Sequence, residues 1–468
     1  MAGLNEPRTH RRIDMNENEN KIADFNRRDF LKGGSAATLL TMLGGVELFA
    51  QTNAAPAEAK AAGPKLRIAV IGLGTWGREI VNTLARLPKA EVAAICDTYP
   101  ASVRRSATAA PGAAQTEDYK TILDNKDIKA VVIATPTHQH KDLVLAALKA
   151  GKHVYCEAPL ANSIDDARAI AATAKAAKQV NFQAGLQFRA DPQRHFLVPF
   201  IRSGAMGQSL MARAQFHKKQ SWRQVSPKPE REKELNWRLS KETSAGLVGE
   251  IGIHAIDQAT WFLNAQPVAV TGFGSLALWK DGRDVFDTVQ ALVEFPGGVF
   301  MNYNASLANS FDGEYEMLYG SDAAVMMRES KAWLFKEVDS PLLGWEVYAR
   351  KETFYQETGI ALVANASKSV PANPQASAEA AITSTPLAYA LTTFLKNSAD
   401  LGAAVEDALA VIGPDDPEQL AAQIAKVPRL PAPGYLEGFQ ATVLAIKANE
   451  AIQAHQRIEL KKEWSELS

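Results

Sequence analysis

Cysteine is almost missing from this chain. Only Cys96 and Cys156 occur among 468 residues, so no disulfide framework holds the fold, and the two read as small buried hydrophobes. An excess of either charge is missing as well: 51 lysines and arginines stand against 52 aspartates and glutamates, which excludes a global field that would draw the molecule to nucleic acid or to an anionic membrane. No apolar run is long and uninterrupted enough for a stable membrane span, and no segment repeats at a solenoid period. What is present is an ordinary apolar content of 46% in a chain long enough for two domains with extensions, whose partners must be argued from local sites.

The rest of the chain is organised around residues 66–77, LRIAVIGLGTWG. Residues 66–71 are apolar and rich in β-branched side chains, and they end in Gly72, Gly74 and Gly77, so a buried strand meets a tight turn and the start of a helix over 78–87. Gly72 permits the sharp turn, Gly74 lets backbone approach a pyrophosphate, and Gly77 lets the helix pack closely on the strand. The amides at that helix start, with Thr75 and Trp76 beside them, face the phosphates. A second strand at 91–96 ends in Asp97, twenty residues beyond Gly77, where a carboxylate accepts hydrogen bonds from a ribose hydroxyl. The same charge repels a 2′-phosphate. NAD is therefore favoured over NADP, although Arg104 and Arg105 follow closely enough to leave the choice open.

Residues 1–25 are polar and carry the patch NENEN, without a core-forming period. Residues 26–32, NRRDFLK, precede a moderately apolar run to residue 50 and then Ala55-Pro56-Ala57, in the manner of a twin-arginine export signal with a small-residue cleavage site, although Asn26 and Glu47 are unusual there. Residues 1–63 read as this signal region and a linker, and imply an exported protein, periplasmic or extracellular. Because that route carries folded proteins, a dinucleotide would be loaded before export and held tightly afterwards.

Strand and helix patterns then alternate: helix 100–109, extended 113–116, helix 118–124, strand 130–134, turn 135–140, helix 141–150, strand 153–156, helix 163–178 and strand 180–186. That alternation predicts a doubly wound parallel sheet over 64–188, with ligands beyond the carboxyl ends of its strands. Residues 207–217, 266–278, 285–295 and 298–307 read as strands of a largely antiparallel open sheet, with Pro296-Gly297-Gly298 as a hairpin turn. The fold class is thus α/β: an N-terminal Rossmann domain followed by an α+β domain over 189–468, with a helical insertion at 361–433. Between these strands, residues 222–237 are polar, basic and aromatic and read as a loop over the cleft, where Trp222 and Trp237 stack on sugar faces or anchor the loop. Tyr303 and Asn304 are further cleft candidates.

GLGTWG with Asp97, TPTHQH, GKHVYCEAPLA, LQFRADP and GEIGIHAID together resemble the glucose-fructose oxidoreductase and inositol dehydrogenase superfamily (Gfo/Idh/MocA), over about 66–307 and again near 435–460. The resemblance implies a sugar, polyol or glycoside bound between the nicotinamide and a second domain whose open sheet mediates homo-oligomers. It places Thr135, Pro136 and His140 near cofactor or substrate, and Glu157, Pro159 and Arg189 on the nicotinamide side. The family's Glu-Lys-Pro lysine is here Ala158, and its Asp-x-x-x-His pair is Glu250 and His254. On a helix, spacings of four and three put Glu250, His254 and Asp257 on one face. His254 is then the catalytic acid or base, Glu250 its orienter and Asp257 a substrate contact or support. A metal reading of Glu250 and His254 lacks a third ligand at a suggestive spacing, so none is assigned. Lys218 or Lys219 is a candidate for the missing cation. The missing lysine leaves three readings: net sugar oxidation, the redox-neutral glycosidase or lyase cycle known in some branches of the family, and a non-catalytic sugar-binding protein.

Overall fold

The computed structural model describes residues 65–226, 228–329, 331–349, 351–354, 357–362, 384–413 and 416–467. The twin-arginine region, and residues 363–383 and 414–415 of the insertion read at 361–433, lie outside the described residues. Six strands, β1 (Leu66–Ile71), β2 (Ala90–Cys96), β3 (Ala114–Thr116), β4 (Ala130–Ile133), β5 (His153–Cys156) and β6 (Phe182–Ala184), make a parallel sheet in the order β3-β2-β1-β4-β5-β6. Every residue of β4 (AVVI) and β5 (HVYC) is buried, the continuous pattern expected of a sheet covered on both faces. Cys96 and Cys156 are free and buried at the ends of β2 and β5.

Helices Thr75–Leu84, Pro100–Ala107 and Pro386–Ile412 cover one face of this sheet, and His140–Lys149, Ile164–Ala176 and Tyr435–Ala454 the other. The sequence assigns residues 386–412 to the second domain. In the structure, Leu387, Ala390, Leu391 and Phe394 recur at helical spacing and share a core with Ile68, Val70 and Ile80 of the nucleotide-binding domain instead. A split at residue 188 therefore divides one core. Tyr435–Ala454 serves both domains, since Phe439 and Val443 pack on the first and Leu444, Ala448 and Ile452 on the second.

Ten strands make the second sheet: β7 (Ser209–His217), β8 (Ala269–Ser275), β9 (Thr288–Phe295), β10 (Val299–Ser306), β11 (Glu314–Gly320), β12 (Ala323–Arg328), β13 (Lys331–Lys336), β14 (Lys351–Phe354), β15 (Glu357–Leu362) and β16 (Ile458–Glu459). The order is β14-β15-β13-β12-β11-β7-β10-β9-β8-β16, with β7 and β10 parallel and the other pairs antiparallel. Its inner face shares a core with the helix Gly252–Leu263 through Ile256, Ala259 and Phe262. Ile253 in the first turn of that helix shares a core instead with Ile133 and Cys156, the last residues of β4 and β5. Among the described residues no helix is long and apolar enough to cross a membrane.

Candidate active site

β1 runs into Gly72, whose φ of +93° and lack of side chain are both required: a Cβ there would lie 2.6 Å from the Ala134 carbonyl oxygen. A Cβ on Gly77 would lie 1.9 Å from the Gly72 oxygen, so the helix closes directly on the turn. Gly74 differs. Nothing lies within 4 Å of its Cβ position, and the helix Thr75–Leu84 begins there without a side-chain cap. Its first amides face open space, with Thr75 and Trp76 exposed beside them, which is the cradle a pyrophosphate fits. Asp97 accepts the Leu73 amide at 2.7 Å on one carboxylate oxygen and the Tyr99 amide at 2.8 Å on the other. Each oxygen keeps a lone pair for a ribose hydroxyl. The residues present fit a nicotinamide dinucleotide.

The loop after β4 supplies the next layer. The Thr135 hydroxyl oxygen is buried without a hydrogen-bond partner, and Pro136 leads into the single turn Thr137–Gln139. His140 is fully committed elsewhere: its ring nitrogens lie 3.0 Å from the Pro159 and Thr135 carbonyl oxygens, tying the loop after β4 to the one after β5. Those carbonyls favour the charged ring and burial the neutral one. Burial is the larger effect and brings the pKa down to about 4. Glu157 follows β5 with Oε1 buried and unpartnered. Burial pushes its carboxyl up to about 7, against the pull of the Trp76 indole and the Ala158 amide.

The expected face of Glu250, His254 and Asp257 is not one face. Glu250 ends a short helix, Gly246–Glu250, and Ile251, at φ −119°, breaks the chain before Gly252–Leu263 begins. The Glu250 carboxylate accepts the Ala245 amide at 2.9 Å and the Thr137 hydroxyl at 3.1 Å, with the Ser244 hydroxyl at 3.4 Å. Burial raises its pKa. The expectation that it orients His254 is corrected, because His254 Nδ1 has no hydrogen-bond partner. The imidazole meets the edge of Phe188 at 5.9 Å between centroids, and burial pushes its pKa down to about 4. Asp257 is taken by Arg189, whose Nε and Nη2 each lie 2.8 Å from a carboxylate oxygen and whose guanidinium sits over Trp261. Arg189, expected at the nicotinamide, thus braces the segment after β6 against this helix.

Three residues that the sequence reading did not single out join the site. Arg238 lies over the Trp237 ring at 4.5 Å and near Trp222 at 5.8 Å, with Nε 3.9 Å from Glu250. His138 packs near Trp237 at 6.3 Å with Nδ1 unpartnered, and Phe188 backs His254. Aromatic residues flanking an arginine in the cleft loop were the available signal. The loop also reaches the nucleotide end: the Thr98 hydroxyl donates to Glu234 at 3.1 Å, and Arg231 stacks on Tyr99 at 4.0 Å. Lys218 and Lys219 are exposed, and the Lys218 charge acts on Glu314. Tyr303 is buried against Gly252 with its hydroxyl unpartnered, while Asn304 pairs with His217 at 2.7 Å. Among the described residues no three or more of His, Cys, Asp and Glu gather as a metal site.

Fold and site define a two-domain dinucleotide-binding protein with a Rossmann sheet and an open second sheet. Residues 66–185 match the family model described as "Oxidoreductase family, NAD-binding Rossmann fold" and residues 198–325 the "GFO/IDH/MocA C-terminal domain", so the chain belongs to the Gfo/Idh/MocA family. Residues 24–44 match the twin-arginine translocation signal sequence. Levoglucosan dehydrogenase of Pseudarthrobacter phenanthrenivorans is 29% identical over 213 residues, 41% of this chain and 52% of that one. Inositol 2-dehydrogenase 2 of Saccharopolyspora erythraea is 26% identical over 51% of this chain and 65% of its own. The chain thus spans between half and two thirds of these relatives. An oxidoreductase domain protein from Kribbella flavida superposes with a TM-score of 0.63 at 20% identity, covering 85% of this chain and 100% of that one. Levoglucosan dehydrogenase in complex with NADH and levoglucosan does so at 0.63 and 19% identity, with the same coverage. These likenesses are of fold.

Proposed function

We propose that this protein is an NAD-dependent oxidoreductase acting on a sugar, polyol or glycoside, exported folded to the periplasm or beyond with its cofactor held tightly. His254 carries the reading: a buried imidazole whose Nδ1 has no hydrogen-bond partner among the described residues, kept neutral by burial, has a nitrogen free to take a proton. NAD is preferred to NADP because Asp97 stands at the ribose position. When bound, the nicotinamide supplies a hydride acceptor. The chain does the rest: the Gly74 turn holds the pyrophosphate, Asp97 the ribose, Thr135 and Glu157 offer unpartnered oxygens at the strand ends, and His254 Nδ1 receives the hydroxyl proton as the carbonyl forms. A positioned base of this kind contributes roughly 10²- to 10⁴-fold. The loop joining Thr98 and Tyr99 to the second domain supports tight retention.

Homo-oligomer formation through the open sheet is supported by its exposed apolar outer face, where Phe300 pairs across from Met211 beside Leu292 and Phe273. The test of function is a panel of sugars and glycosides added to the purified protein while reduced nicotinamide absorbance is followed. A net rise with a neutral or acidic sugar supports the reading. Glycoside cleavage that needs the dinucleotide but leaves no net reduction replaces it with the redox-neutral cycle, which export with a limited cofactor supply favours. Binding without turnover across the panel refutes it.

A further inference from the structure

We propose that Arg238, held between the indoles of Trp222 and Trp237, anchors a carboxylate of the substrate, so that the sugar handled here is an acidic one: a uronic or aldonic acid, or a glycoside of one. This rests on the oxidoreductase reading of the same cleft. The guanidinium is positioned, ion-paired loosely with Glu250 and not hydrogen-bonded to it. It lies 4.5 Å from the Trp237 ring centre and 5.8 Å from that of Trp222, its side chain is 42% exposed, and its N–H groups donate no hydrogen bond to any of the described residues. Its nearest carboxylate oxygen, Glu250 Oε2, is 3.9 Å from Nε, too far for a hydrogen bond, and Glu250 already accepts from Thr137 and Ala245.

The more shielded arginines here behave differently. Arg189 holds Asp257 at 2.8 Å, Arg194 holds Asp191 at 3.1 Å and Arg283 holds Asp281 at 2.6 Å. Arg238 is stacked on aromatic faces, as a planar bidentate donor is when preorganised, but without an acceptor. The indoles offer flat walls for a sugar ring, and beside Trp237 the unpartnered Nδ1 of His138 offers a second polar point. A single arginine next to Glu157 and Glu250 suits a monoanion. A phosphate dianion would meet those carboxyl groups with one cation to balance it.

The experiment titrates the purified dinucleotide-loaded protein, following tryptophan fluorescence, with D-glucuronate, D-galacturonate and D-gluconate, each against its neutral counterpart, and with D-glucose 6-phosphate. At least one acid is expected to bind about ten- to a hundredfold more tightly than its neutral partner, the effect of a charge-assisted pair. Arg238→Gln should bring the ratio of acid to neutral affinity down to about one, whatever it does to affinity as a whole, and Arg238→Lys should keep part of the preference. Circular dichroism and dinucleotide content verify that each variant folds; if Arg238→Gln does not, the salt dependence of acid binding by the wild type decides instead. No preference for any acid, a preference that survives Arg238→Gln or is insensitive to salt, or tighter binding of the sugar phosphate overturns the proposal. Turnover is scored separately, so acid-selective binding without hydride transfer counts against the oxidoreductase reading and leaves the carboxylate anchor standing.

Discussion

Replacing Gly74 by alanine separates the dinucleotide site from the fold that carries it. The backbone at Gly74, φ −60° and ψ −169°, is open to any residue, and its Cβ would meet nothing within 4 Å. At such a position Gly→Ala gains about 0.4–1 kcal/mol from the unfolded chain, offset by the roughly 0.5–1 kcal/mol that alanine loses against glycine as a helix cap. Stability without ligand should therefore hardly change. The added methyl occupies the space a pyrophosphate needs, and lengthening amide-to-phosphate contacts should weaken binding about a hundredfold, ~2.7 kcal/mol. Thermal unfolding with and without NAD reads both quantities. The wild type should be stabilised by NAD, and Gly74→Ala should unfold at the wild-type temperature and gain little from it. Gly77→Ala is the contrast: its Cβ would overlap the Gly72 oxygen, so it should lose about 1–3 kcal/mol even without ligand. If Gly74→Ala binds NAD as the wild type does, the phosphates do not lie on this turn.

The remaining predictions concern the second domain, the loop and the core. His254→Ala should lower kcat by roughly 10²- to 10⁴-fold with dinucleotide binding unchanged, and the wild-type acid limb should fall near the depressed value of about 4 rather than near 6.5; an unaltered kcat removes His254 from the chemistry. Arg231→Ala with Glu234→Ala should quicken NAD release by opening the contacts to Tyr99 and Thr98, read by stopped-flow displacement, and an unchanged release rate means the loop does not retain cofactor. His153, whose Nδ1 accepts the Asn181 amide, is buried near the charges of Arg429 and Lys129; burial above all brings its pKa down to about 4 while the unfolded chain keeps about 6.5. Its neutral form is intact above 6.5, and stability falls as pH drops from there towards 4, by ~2 kcal/mol between about pH 7 and pH 5. Urea unfolding of His153→Gln should lack that share of the slope.

The nucleotide-binding half was legible because its signals are local. Apolar run, glycine turn and terminal Asp97 sit within about thirty residues; the fold needs Gly72 and Gly77 for different steric reasons, while Gly74 leaves space open beside the turn. The first four strands of the second sheet were legible from alternation, whereas β12, AAVMMR, is built from alanine and methionine, which carry little strand preference. The helix Pro386–Ile412 can be read as a helix, but which sheet its apolar face covers depends on contacts far away in sequence. The shared face of Glu250 and His254 failed because spacing of four counts only within one helix, and Ile251 ends it. Arg238 escaped notice because its place beside Glu250 and the two indoles is made by a loop, which has no period to read.

The most direct measurement is the dinucleotide content of the mature protein as purified, released by denaturation and identified by mass. The account predicts close to one NAD per chain, reduced in place by the right sugar. A protein that emerges empty and binds added NAD only weakly contradicts the exported, cofactor-carrying oxidoreductase.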